Sequence, residues 1–101
     1  MSLKQTFTKK LKKYSNPRQA QKMAYKYLGK TAKLYPASNP QKKYKIYDPK
    51  NEKWVNFGQI GYEDFTKHND QKRRENFLKR NYKWKNAPKY SPAYLAYHLL
   101  W

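Results

Sequence analysis

Asp64 and His68 stand four residues apart, with Asp70 close behind. On one helical turn that spacing brings a carboxylate against an imidazole, the pairing a general base needs. No nucleophile is evident beside them, and a histidine near a carboxylate is more often a structural hydrogen bond or a helix-end contact. The second histidine, His98, lies in an apolar tail and reads as a packing residue. With two histidines and no cysteine, the chain offers no convincing metal cluster, no disulfide and no thiolate. Gly29-Lys30-Thr31 echoes the end of a phosphate-binding loop. However, Ala24 stands where the first glycine belongs, no strand precedes it, and the triad falls inside a helical pattern. Eleven tyrosines single out none as a nucleophile. The expectation is a non-enzymatic protein with no cofactor and no metal.

Charge is the stronger signal. Twenty-four Lys and Arg against six Asp and Glu give +18. Residues 1–47 hold thirteen basic residues and no acid, and residues 76–101 hold five and no acid. Residues 48–75 hold six of each and sum to zero. Such a chain repels itself unless a polyanion supplies counter-charge: nucleic acid, anionic lipid or an acidic protein surface. The residues expected to meet it are Lys9, Lys10, Lys12 and Lys13 near the start, Lys42, Lys43 and Lys45 at the first strand, and Lys72, Arg73, Arg74, Lys79 and Arg80 on a charged helix. No apolar run approaches the ~20 residues of a membrane-spanning helix, so a membrane would be met only at its surface. The N-terminal stretch also lacks the apolar segment of a secretory signal.

Aliphatic side chains are few and rings are many: eleven Tyr, four Phe and three Trp. A core must therefore be built largely from aromatics. Leu3, Phe7, Leu11 and Tyr14 recur at helical spacing, which predicts a basic amphipathic helix over 2–14. Asn16-Pro17 is a helix start, and Ala20, Met23, Ala24, Tyr27, Leu28 and Thr31 predict a helix from Pro17 to about Lys33, weakened at Gly29. Residues 35–41, with two prolines, read as a linker. Tyr44–Tyr47 and Trp54–Phe57 read as two strands joined by a polar turn; in the first Tyr44 and Ile46 share a face, and in the second Val55 and Phe57 share a face opposite Trp54 and Asn56. A helix capped by Asn69 or Asp70 runs to about Asn81.

Tyr82–Tyr90 alternates rings with lysines. That pattern suits single-stranded nucleic acid and equally an extended chain whose lysine stems cover a protein surface. Ser91-Pro92 starts a last helix, to Leu100, that is apolar nearly all round and so must be buried in its own core or in a neighbour. Its residues Tyr94, Leu95, Tyr97, Leu99, Leu100 and Trp101 are the candidate protein interface. The expected fold is a small α+β domain: a two-stranded antiparallel β-hairpin packed with three to four short helices, and extended basic and aromatic terminal arms. Its parts are a basic arm (1–15), a helix and linker (16–41), a central hairpin–helix unit (42–81) and an aromatic tail with a short helix (82–101).

The strings YLGKTAKLYP, KKYKIYDPKNEKWVNFG, GYEDFTKHNDQKRRENFLKR and KYSPAYLAYHLLW make residues 16–101 resemble a family of small basic proteins of nucleocytoplasmic large DNA viruses, the mimivirus-like giant viruses and relatives. The resemblance implies a viral setting and assigns no active site. Asn56 stands where histidine is more usual in that family, and the loop 81–89 differs, so neither gains a role by analogy. The resemblance and the composition together suggest a virion protein, such as a minor capsid component tying larger shell proteins together. It would be present in virions and, during assembly, in the host cytoplasm. The alternative is a DNA- or RNA-binding protein that packages the genome without reading its sequence.

Overall fold

A computed structural model describes residues 7–101. The first helix, α1, covers Lys9–Tyr14, with Thr8 Oγ1 accepting the Leu11 N–H at 3.2 Å. Leu3 and the rest of the expected helix before Phe7 lie outside the described residues. Asn16 caps α2 (Pro17–Leu28) as its sequence predicts, its Oδ1 accepting the Gln19 N–H at 3.3 Å. Five of the six residues of the expected stripe form the packed face: Ala20 and Ala24 are fully buried, and Met23, Tyr27 and Leu28 lie against the same core, while Thr31 falls beyond the helix and is exposed.

Helix α2 stops at Leu28 rather than near Lys33, because Gly29 adopts φ 107°, a left-handed conformation that ends helices at glycine. The chain then turns back along α2. Gln21 holds it there, donating to the Ala32 carbonyl at 2.6 Å and accepting from the Leu34 N–H at 2.8 Å. These bonds, with Leu34 fully buried, convert the start of the expected linker into a strand, β1 (Leu34–Pro36). The two-stranded ribbon is therefore a three-stranded antiparallel sheet in the order β1-β2-β3, with β2 at Lys42–Asp48 and β3 at Lys53–Gln59. Pro36 is tolerated because β1 is an edge strand. The β2–β3 turn is organised by Asp48, whose carboxylate accepts from the N–H groups of Lys50 and Asn51 and from the Asn51 amide, an Asx-type turn.

Register sets Tyr44 opposite Phe57 and Ile46 opposite both Val55 and Leu34. All five are buried. Two short helices follow, α3 (Phe65–His68) and α4 (Gln71–Arg80), the latter capped by Asp70, which accepts from the N–H groups of Lys72 and Arg73. Tyr82–Asn86 coils into a 3₁₀ helix instead of running extended. The final helix, α5 (Pro92–Leu95), is capped by Ser91 and continues as a π turn over Ala96–Leu100.

That last segment packs on β3 and α2. Leu95, Leu99 and Leu100 are buried in the chain's own core. Of the two expected ways to bury this helix, its own core takes these three leucines, which removes them from the candidate interface. Leu11 joins the same core, and Phe7 meets Tyr44 edge-on at 5.5 Å. The described parts of the expected arms are therefore folded in. The radius of gyration, 12.8 Å, is what a compact domain of this length has. Gly58 makes the close approach possible: at φ 78°, a Cβ there would lie 2.8 Å from Leu100 Cδ1.

Candidate functional site

Asp64 and His68 do not form an acid–base pair. Asp64, fully buried, accepts from Lys43 Nζ at 3.0 Å and from the Thr66 hydroxyl. Thr66 Oγ1 accepts the Asn16 N–H at 2.9 Å and lies 3.1 Å from Ser15 Oγ, which accepts the Tyr44 hydroxyl at 2.6 Å. Lys43 Nζ also donates to the Tyr62 carbonyl at 2.7 Å. This buried chain of polar groups ties the α1–α2 junction to α3 and to β2. Burial lowers the Lys43 pKa and raises that of Tyr44. Lys43 is thus a structural cation and not a polyanion contact, because α3 brings a carboxylate over it.

His68 instead closes the α3–α4 corner. Its Nδ1 accepts the Asp70 N–H at 2.9 Å, and its ring lies 5.1 Å from that of Trp101. Its Nε2 is buried without a hydrogen-bond partner, and burial followed by the nearby Arg73 charge lowers its pKa. His98 packs among the rings of Tyr27, Tyr94 and Tyr97, with Nε2 3.0 Å from the Lys85 carbonyl oxygen. Among the described residues no group of three or more His, Cys, Asp or Glu could hold a metal ion.

Beside this network lies an open groove of about 830 Å³ between the Lys42–Gln59 end of the hairpin, α4 and the C-terminal helix. Helix α4 turns Arg73, Asn76, Phe77 and Arg80 into it, with Lys79 at its edge. This is the i, i+3, i+4, i+7 spacing of one helical face. The floor is apolar and aromatic. Phe77 stacks on Trp101 with centroids 4.2 Å apart and planes 6° from parallel, and Trp84 meets Phe77 edge-on at 6.0 Å. Trp84 and Tyr62 remain exposed at the rim, Tyr62 by 66%. Glu63 is the one acid in the lining, against four exposed or half-buried cations there: Lys42, Arg73, Lys79 and Arg80.

The other expected contacts are placed differently. Arg74 is turned inward: its Nε donates to the Trp101 main-chain oxygen at 2.7 Å and its guanidinium lies 5.2 Å from the Phe65 ring. Lys72 is exposed outside the groove. Lys9, Lys10, Lys12 and Lys13 are exposed on α1, where Lys12 lines a second hollow with Arg18 and Lys67. Lys45 lies on the sheet's outer face. Tyr94, Tyr97 and Trp101 are half-buried. Asn76, Phe77, Trp84 and Tyr62 were not among the expected site residues. For Asn76 and Phe77 the signal was their spacing from Arg73 and Arg80, while nothing local announces Tyr62.

The Lys43–Asp64 pair is the one ion pair among the described residues. The remaining described lysines and arginines therefore have no carboxylate within bonding distance, and most are at the surface.

A protein-family description, a family of unknown function (DUF5754), matches residues 32–81. That stretch runs from β1 through α4 and is just under half of the chain, so it shows a likeness to the family. No curated protein and no solved structure matches the chain.

Proposed function

We propose that this protein binds nucleic acid through its phosphates, without reading sequence, and that the α4 groove is its principal phosphate-binding surface. The observation that carries this is the pairing of a +18 chain with a single internal ion pair among its described residues. The counter-charge is left to a partner. Arginine and lysine along one helix face suit a phosphate backbone, and among the described residues no element presents the geometry of a base-reading motif. It acts as a binding protein and not an enzyme: the one histidine–carboxylate candidate is dispersed into structural contacts.

In the viral setting that the sequence resemblance implies, the ligand is the genome or its transcripts, and the protein works in virion assembly or packaging. The shell-linking role is the second reading; the three leucines of the C-terminal helix are packed in the chain's own core and are not among the groups it would use.

The test is a fluorescence-anisotropy titration with two duplexes of unrelated sequence at 50 and 200 mM salt. If roughly 6–10 phosphates are contacted, affinity falls about 10³- to 10⁵-fold between those salts, and equally for both sequences. Charge reversal at Arg73, Lys79 and Arg80 should weaken both alike. Binding that ignores salt, or that one sequence alone shows, overturns the proposal.

A further inference from the structure

A second surface lies on the outer face of the sheet, away from the groove. Each strand puts one ring there: Tyr35 from β1, Tyr47 from β2 and Trp54 from β3. Register brings them together, since Tyr47 pairs with Trp54 and Tyr35 pairs with Lys45. Tyr47 and Tyr35 meet Trp54 edge-on at 5.4 and 5.7 Å, and Lys45 Nζ lies 4.9 Å from the Trp54 ring centre. Trp54 and Tyr47 are nonetheless 39% and 42% exposed. The two tyrosines stand at steep angles to the Trp54 ring, and the part of it left exposed has Lys45 beside it. No acidic side chain stands on this face of the strands, because Asp48 is buried.

We propose that this face is a stacking platform for the unpaired bases of single-stranded nucleic acid, an inference that rests on the nucleic-acid reading above and specifies its ligand. Rings project from a sheet at strand spacing, a lysine stands among them, and the molecule's charge demands a polyanion. Base stacking on an aromatic is sequence-tolerant because every base has a π-face. A duplex hides those faces inside its own stack and cannot use the platform. Lys45 has a flexible four-carbon stem. An exposed cation–π contact is weaker than base–aromatic stacking, so an arriving base displaces the ammonium from Trp54 and the ammonium moves to the adjoining phosphate.

The experiment compares a labelled 20-nucleotide oligothymidine, an abasic strand of equal length and charge, and a 20-base-pair duplex. Each is titrated against the wild-type chain and against Trp54→Leu and Tyr47→Leu, which keep apolar area and remove the ring. The expected result is a loss of about tenfold or more in oligothymidine affinity for Trp54→Leu, with duplex affinity unchanged. Wild-type protein should also bind the abasic strand about as weakly as the variant binds oligothymidine. The abasic comparison uses unaltered protein, so it stands even if a variant fails to fold. Equal affinity for abasic and base-bearing strands would overturn the platform. So would equal losses on duplex and single strand, or a variant that instead loses self-association in sedimentation. Wild-type protein that binds none of the three ligands would end the nucleic-acid reading itself, a different outcome from losing the platform alone.

Discussion

Removing Asp64 tests what holds the α1–α2 junction, the sheet and α3 together. Lys43 and Asp64 are 3% and 1% exposed and 3.0 Å apart. Asp64→Ala leaves an ammonium buried with only the Tyr62 carbonyl for company, and it also strips Thr66 of its acceptor. Breaking a buried pair from one side costs about 3–5 kcal/mol. Set against the roughly 5–15 kcal/mol that holds a domain folded, that is about a fifth of the total at the least. Lys43→Met leaves the carboxylate in place with the Thr66 hydroxyl, and should cost about 3 kcal/mol, the low end of the same range. The double variant Lys43→Met/Asp64→Leu, with apolar groups of similar volume, should be no less stable than Asp64→Ala alone and should recover most of the loss.

Urea denaturation of wild type, Lys43→Met, Asp64→Leu and Lys43→Met/Asp64→Leu at unchanged m-value gives the cycle, with Asp64→Ala measured beside it. The Asp64→Ala deficit should shrink as pH rises. Burial already holds the folded pKa of Lys43 below 10.5, so the unfolded chain binds more protons in that window and stability climbs with pH. Additive single losses, with no recovery in the double variant, would show that the pair is not the joint of this fold.

Gly58→Ala should be clearly worse than Gly61→Ala. Both sites have positive φ, 78° and 97°, which costs a non-glycine residue about 1–2 kcal/mol. Only at Gly58 would the added carbon meet a neighbour, Leu100 Cδ1 at 2.8 Å, adding about 1–3 kcal/mol of overpacking. Thermal melts should separate the two by at least ~4 °C, and equal melting temperatures would deny the close approach of the C-terminal helix. His68 sets an acid limit. Its folded pKa is lowered below 6.5 by burial and by Arg73, so the unfolded chain takes up more protons below pH 6.5 and stability falls as pH drops through that window. Melts from pH 7.5 to 5 should show the decline, and His68→Phe should flatten it; an unchanged slope removes His68 as its source.

Much of the local structure was written in short-range signals. Asn16-Pro17, Asp70 and Ser91 each cap the helix their sequence announces. The alternation in 44–47 and 54–57 put the right side chains inward. The third strand was hidden because β1 is only three residues long and ends in proline. What pairs it is Gln21, thirteen residues upstream of Leu34, whose amide looks like an ordinary exposed helix residue in the sequence. Lys43 was misjudged for a related reason. Charge and alternation alone gave it to solvent, and the carboxylate that buries it comes from twenty-one residues further on. The C-terminal helix was legible as buried, but the sequence left open what would cover it. A glycine at position 58 with no room for a side chain answers that, and it does so only in three dimensions.

The placement of the two surfaces bears on how they work together. The groove takes in the Lys42–Gln59 end of the hairpin, and the platform sits at Tyr47 and Trp54 beside the turn. Five residues of strand separate them, about 16 Å. At physiological salt charges are screened over roughly 8 Å, so neither surface strongly alters the field at the other. Under the two proposals, a duplex lying along α4 would use the groove alone, whereas a flexible single strand would follow phosphates out of the groove and lay bases on Trp54. The unpaired form would then be held by two independent contacts. The buried Lys43–Asp64 joint lies at the groove's edge, fixing β2 to α3 and through α3 to α4. It keeps the hairpin and the cationic helix at a constant spacing, so the span a strand must bridge is set by the fold and not by the strand.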